Sequence, residues 1–138
     1  MKQTKIISAF PGTGKSHFFN NTDLFVLDSD SSYFDKSKFP QNYIEHIKSY
    51  IGKVDYILVS SHEDVRNALK ENFIDFLLVY PSIEIKNEYL DRYKVRGSSD
   101  GFVNLINANW DKWIKDCANQ KGCLNIVLPS GKFISDII

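Results

Sequence analysis

Apolar residues gather in short runs along the chain, and between the runs lie segments whose apolar positions recur at helical spacing. Lys5 to Phe10 (KIISAF) is the first run, ended by Pro-Gly, and helix-compatible sequence follows from Lys15 to about Asn20. Leu24 to Leu27 is a second run, closed by Asp-Ser-Asp. From Pro40 to Ile51, apolar residues at Tyr43, Ile44, Ile47, Tyr50 and Ile51 predict a helix with Pro in its opening turn. Val54 to Val59 predicts a third strand. A helix from about His62 to Glu71 follows, with Ser60 or Ser61 as its cap and Val65, Ala68 and Leu69 on its inner face. Phe73 to Tyr80 predicts a fourth strand stopped by Pro81. Helices then run from about Ile83 to Lys94 and from Phe102 to Ala118, strand five covers Leu124 to Leu128, and a short helical tail starts at Lys132.

Strands two to five lack strict alternation, as expected of parallel strands covered on both faces. Strands interleaved with helices predict an α/β fold: a three-layer sandwich around a mainly parallel five-stranded sheet. Ligands in such sheets bind beyond the carboxyl ends of the strands, so the polar clusters after strands one, two and three all point to one site. No repeat or linker divides the 138 residues, which suit one domain.

Charge narrows the partners. Seventeen basic residues balance 17 acidic ones, so no global basic field exists to hold a nucleic-acid backbone, and such binding would need a local patch. No apolar run approaches the roughly 20 residues of a spanning helix. The N-terminus leads straight into strand-like sequence, which leaves no room for a signal peptide, so a cytoplasmic protein is expected. Cys117 and Cys123 fit no metal-ligand or CxxC spacing and read as reduced, small hydrophobes.

Ala9 to Ser16 reads A-F-P-G-T-G-K-S, the Walker A spacing G-x-x-x-x-G-K-[ST] with Ala at the first Gly. Gly12 and Gly14 permit a tight turn in which backbone N–H groups of the Gly12, Thr13 and Gly14 stretch face an anion. Lys15 can reach terminal phosphates and the Ser16 hydroxyl can ligate Mg²⁺. The alternative is a Gly-rich turn that merely joins strand to helix. Asp28 and Asp30, after strand two, are candidates for holding Mg²⁺ or gripping an acceptor hydroxyl: Asp28 on the metal side and Asp30 on the acceptor side. They equally suit a capped turn. Arg92 and Arg96, four apart and followed by Gly-Ser-Ser, predict a lid-like segment at about residues 92–101 that stabilises a moving phosphoryl group; otherwise they belong to a solvated face paired through Glu88. His62 reads as a helix-start residue, and Trp110 and Trp113 as packing for the long helix. Tyr33 and Phe34 suit either a base pocket or the core.

With these elements the chain resembles the P-loop nucleoside and nucleotide monophosphate kinases, particularly small phage-type members. The resemblance implies a P-loop kinase-like fold, ATP as donor with Mg²⁺, and transfer to a nucleoside monophosphate or deoxynucleoside monophosphate. It implies a donor grip at Gly12, Thr13, Gly14, Lys15 and Ser16, and lid arginines at Arg92 and Arg96. Asp28 and Asp30 are similar to the acidic pair of small-metabolite kinases such as shikimate kinase. Arg66 corresponds to an arginine that binds the acceptor phosphate in adenylate kinases. One departure stands out: where adenylate-kinase-like members carry an Asp at the end of strand three, this chain has Val59-Ser60-Ser61-His62, which shifts metal binding onto Asp28. Two alternatives remain at this level. One is a kinase for a small-metabolite or modified-nucleic-acid hydroxyl, with Asp30 as base; the other is a non-catalytic nucleotide-binding module. The chain is expected to act as a monomer or homodimer on nucleotide substrates.

Overall fold

A computed structural model of the chain describes residues 3–29 and 35–138. Five strands, β1 (Lys5–Ala9), β2 (Val26–Asp28), β3 (Tyr56–Ser60), β4 (Leu77–Pro81) and β5 (Leu124–Leu128), form one sheet in the order β2-β3-β1-β4-β5. Every pairing is parallel, with Ala9 opposite Ser60 on one side of β1 and Val79 on the other. The connecting helices are α1 (Lys15–Asn21), α2 (Gln41–Tyr50), α3 (Glu63–Glu71), α4 (Lys86–Val95) and α5 (Asp100–Ala118).

The two faces of the sheet are covered unequally. On the thick face, α2, α3, α4 and α5 pack a cluster that includes Ile44, Ile47, Ile57, Val59, Leu69, Leu78 and Trp110. Its centre is Trp110, fully buried, with its indole N–H donating to the Ile83 carbonyl at 2.8 Å and its ring edge-on to Phe10 at 5.6 Å. On the thin face Phe18 of α1 and Ile134 of a C-terminal 3-10 turn (Ile134–Asp136) cover Ile7, Leu58, Val79 and Leu128. Helices on both faces are consistent with a three-layer sandwich. Because α1 leaves β1 on the thin face while α4 and α5 follow β4 on the thick face, a crevice opens at the carboxyl ends of these neighbouring strands.

Several boundaries differ from the sequence expectation for physical reasons. β4 begins at Leu77 rather than Phe73. Phe73 is left-handed (φ 57°) and 95% exposed, and its N–H and that of Ile74 close the end of α3 on the Lys70 and Leu69 carbonyls. A C-terminal helix closure of this kind outranks the apolar run. Pro81, expected to stop the strand after Tyr80, is instead its last residue. Leu24 and Phe25 lie exposed outside β2, tied to Asp55 through the Phe25 backbone. The residue at the start of α3 is His62, not a serine, and its side chain makes no capping bond. The helix expected from Ile83 is split, with a 3-10 turn (Ile83–Ile85) leading into α4. Ser99 caps α5 by accepting from the Phe102 N–H at 3.1 Å. No helix among the described residues is long and apolar enough to cross a membrane.

Candidate functional site

The loop from Phe10 to Gly14 emerges from the middle of the sheet, where the Phe10 N–H donates to the Val79 carbonyl at 2.9 Å. Gly12 (φ 87°) and Gly14 (φ 96°) are both left-handed, and neither has room for a side chain. A Cβ on Gly12 would stand 2.9 Å from a Tyr93 ring carbon; one on Gly14 would stand 3.1 Å from the Phe133 ring. The glycines therefore serve close packing beneath the loop as well as its turn. Thr13 is fully buried. Its N–H and hydroxyl both donate to the Phe10 carbonyl (3.3 and 2.7 Å), so it holds the turn's shape and offers no donor outward.

Over this loop lies a cavity of about 600 Å³. Its lining includes Gly12, Gly14, Lys15 and Ser16 from the loop, Asp28 and Ser29 from the tip of β2, and Ser60, Ser61 and His62 from the end of β3. Arg92, Arg96, Phe102 and Phe133 close the other side. Three cationic side chains (Lys15, Arg92, Arg96) and one carboxylate (Asp28) line it, so its lining is cationic on balance, which suits an anion. The sequence thus named most of the charged groups that the fold brings together. Asp30, Tyr33 and Phe34 lie outside the described residues.

Arg92 is not carried on a separate lid. It projects from within α4, where its Nη1 donates to the Gly12 carbonyl at 2.8 Å and its Nη2 to Glu88 at 2.9 Å. The guanidinium is sandwiched between the rings of Tyr89 (4.3 Å) and Phe133 (4.1 Å). Tyr93 donates to the Pro11 carbonyl at 2.7 Å. Burial pushes the Tyr89 phenol up to about 12 and raises Tyr93 as well, so both stay neutral. Arg96 ends α4, exposed, with its Nε donating to Ser98 and its cation over Tyr93 at 4.9 Å.

Sequence reasoning missed the C-terminal contribution. The Ile134 N–H donates to the Thr13 carbonyl at 2.9 Å, and Phe133 packs against Gly14. Glu88 accepts from the Ser130 hydroxyl and from the Gly131 N–H (3.1 Å). These bonds, with Arg92 beside it, hold the Glu88 carboxyl below its usual range. Nothing in the sequence near Phe133 signals this, since the contact is made across more than a hundred residues of chain. Tyr89 and Tyr93 had a weaker signal, an i,i+4 aromatic pair interleaved with Arg92 and Arg96.

A second cavity, of about 500 Å³, adjoins the first; Pro11, Ser61, His62 and Phe102 line both. Phe10, Phe39 and Trp113 give it an aromatic wall. Its charge is of the other sign: Glu63, Asp64 and Asp116 face Lys36 and Arg66. Arg66 is buried as a strut. Its Nε donates to the Ser61 carbonyl (2.8 Å), and its Nη1 to Gln120 (2.7 Å) and to the Asp116 carbonyl (3.3 Å). The fork expected to grip an acceptor phosphate is thus largely spent on tying α3 to the end of α5. Trp113, expected to pack the helix, also borders this cavity.

Cys117 is buried, which pushes its thiol up to about 11, and both cysteines are free thiols. Among the described residues no cluster of three His, Cys, Asp or Glu side chains could hold a metal by themselves. The oxygen donors Ser16 and Asp28 nevertheless line the anion cavity together. That set fits Mg²⁺, which takes one or two protein oxygens and completes its shell with phosphates and water. No protein-family model matches the chain, and no curated protein matches it.

Proposed function

We propose that the protein is a phosphotransferase of the P-loop nucleotide-kinase type, with ATP in the cationic cavity and the acceptor in the aromatic cavity beside it. The observation that carries this is the shared wall. A cavity lined by Lys15, Arg92 and Arg96 shares Pro11, Ser61, His62 and Phe102 with one walled by aromatic rings, and transfer requires donor and acceptor side by side. Lys15 and Arg96 would meet the terminal phosphates, while Arg92 holds the loop beneath them through the Gly12 carbonyl. Ser16 and Asp28 would hold Mg²⁺, which when bound neutralises charge on the β- and γ-phosphates. Catalysis would come from positioning and fixed charge, with no covalent enzyme intermediate.

Two acceptors compete. The resemblance implies a nucleoside monophosphate, whose base would lie among Phe10, Phe39, Phe102 and Trp113. The charge of the second cavity favours a hydroxyl-bearing aromatic acceptor without a phosphate. Its three carboxylates oppose an anion, and redirecting Arg66 toward one would break hydrogen bonds worth about 1.5–3 kcal/mol each.

The donor half is tested by calorimetry with Mg²⁺-ATP and by release of ADP in the presence of an acceptor panel. Lys15→Ala should weaken ATP binding at least tenfold and abolish turnover. Tight ATP binding by the wild-type protein with no turnover on any acceptor would instead support a non-catalytic nucleotide-binding module.

A further inference from the structure

His62 stands where the two cavities meet. Among the described residues it is the one titratable residue that lines both: Lys15, Asp28, Arg92 and Arg96 border only the anion cavity, and Glu63, Asp64 and Asp116 only the aromatic one. Its backbone is fixed on both sides. The N–H donates to Ser60 Oγ at 3.4 Å, and the carbonyl accepts from the Arg66 N–H at 3.0 Å as the first bond of α3. Its ring makes no capping bond and no hydrogen bond among the described residues, unlike His46, whose Nε2 meets Ser29.

We infer that the acceptor is a neutral, hydroxyl-bearing aromatic molecule of nucleoside type, and that His62 is the general base that takes its proton. This rests on the phosphotransferase assignment above and deepens it. In the transfer step the acceptor O–H proton passes to a ring nitrogen of His62, and the oxygen lone pair forms the bond to the γ-phosphorus. The bond from that phosphorus to the β,γ-bridging oxygen breaks, and its electron pair leaves with ADP. The imidazolium then releases its proton to water.

The surroundings keep the ring ready to accept. His62 is open to solvent on one side, and the partial desolvation of its ring still lowers its pKa below the ordinary value, with the positive charges of Lys15, Lys36 and Arg66 acting in the same direction against Asp64. The imidazole is therefore neutral at neutral pH, as a base must be. A phosphate acceptor would need no such group, so the base and the acceptor class stand together.

The test uses the full chain with γ-³²P-ATP and Mg²⁺. It offers adenosine, guanosine, cytidine and thymidine, their 5′-monophosphates, and water alone, with ATP affinity measured separately by calorimetry. We expect label on a nucleoside hydroxyl, and a rate about a hundredfold or more lower in His62→Gln with ATP affinity unchanged. The wild-type rate should fall on the acid side with a midpoint below 6.5, and that limb should vanish in His62→Gln. Free imidazole should restore part of the activity of His62→Ala, which a merely structural role for the ring would not permit. Failure of ATP to bind overturns the phosphotransferase assignment itself. ATP binding with transfer only to monophosphates, or to none of the acceptors, overturns the inference while leaving the donor site standing. So does an undiminished rate in His62→Gln, including the case where Asp30→Asn alone abolishes transfer.

Discussion

The glycines of the loop from Phe10 to Gly14 answer to two neighbours, the cavity they line and the aromatic rings packed against them. Gly12 makes this concrete. Alanine there would need a left-handed backbone, costing roughly 1–2 kcal/mol, and would also push into the Tyr93 and Tyr89 rings. Gly97 (φ 85°) supplies the control, since it shares the backbone conformation but has open space around it. Gly12→Ala should therefore destabilise the fold by more than Gly97→Ala does in urea denaturation, and should also weaken ATP binding. Equal losses in the two variants would mean that the ring contacts beneath the loop do not matter. Arg92 likewise acts through its neighbours, because its two hydrogen bonds and two ring contacts leave it buttressing the loop.

Among elements, the C-terminal turn behaves as a strap across the loop. It is fastened by the Ile134–Thr13 backbone bond, by Phe133 on Gly14 and Arg92, and by Ser130 and Gly131 on Glu88. Phe133 is partly exposed, so its removal should leave the fold largely intact. Phe133→Ala is expected to lower ATP affinity severalfold with a small change in melting temperature; calorimetry showing wild-type affinity would rule the strap out as a support for the site. Glu88 adds a pH signature. Its folded pKa is lowered, so its contribution is complete above the unfolded value near 4.5 and is lost as pH falls through the folded value. Denaturation midpoints across the acid range should show that loss in the wild-type protein and a shallower slope in Glu88→Gln.

At the scale of the whole molecule, the unequal faces decide where stability resides. The thick face holds the larger cluster around Trp110, while the thin face depends on a seven-residue helix and a single 3-10 turn. Truncating Trp110 removes its indole volume and its bond to Ile83 together. Trp110→Ala should cost about 3–5 kcal/mol, read from urea unfolding; a loss below about 1 kcal/mol would show that the helical layer does not depend on it. This asymmetry also serves the site, because α1 and α4 leave neighbouring strands on opposite faces and the cavity opens between them.

What the sequence determined alone was local in origin. Apolar runs of strand length separated by helical spacing led to a parallel α/β sheet, and the strand–loop–helix spacing of Ala9 to Ser16 marked a loop that lines the cationic cavity. Lys15, Ser16, Asp28, Arg92 and Arg96 were legible because charge and spacing survive without coordinates. Element ends were less legible, as at Phe73, because a helix closure competes with an apolar run and only the packed chain settles the contest. Tertiary structure alone decided which groups are spent and which remain available. Thr13 and Arg66 carry donors that look ready for a ligand, yet burial commits them to carbonyls brought near by folding. His62 looks like an ordinary helix start in sequence, and only the junction of two cavities of opposite charge sets it apart. Phe133 reaches Gly14 from the far end of the chain. Such contacts depend on distance in space, which a one-dimensional pattern of residue types does not encode.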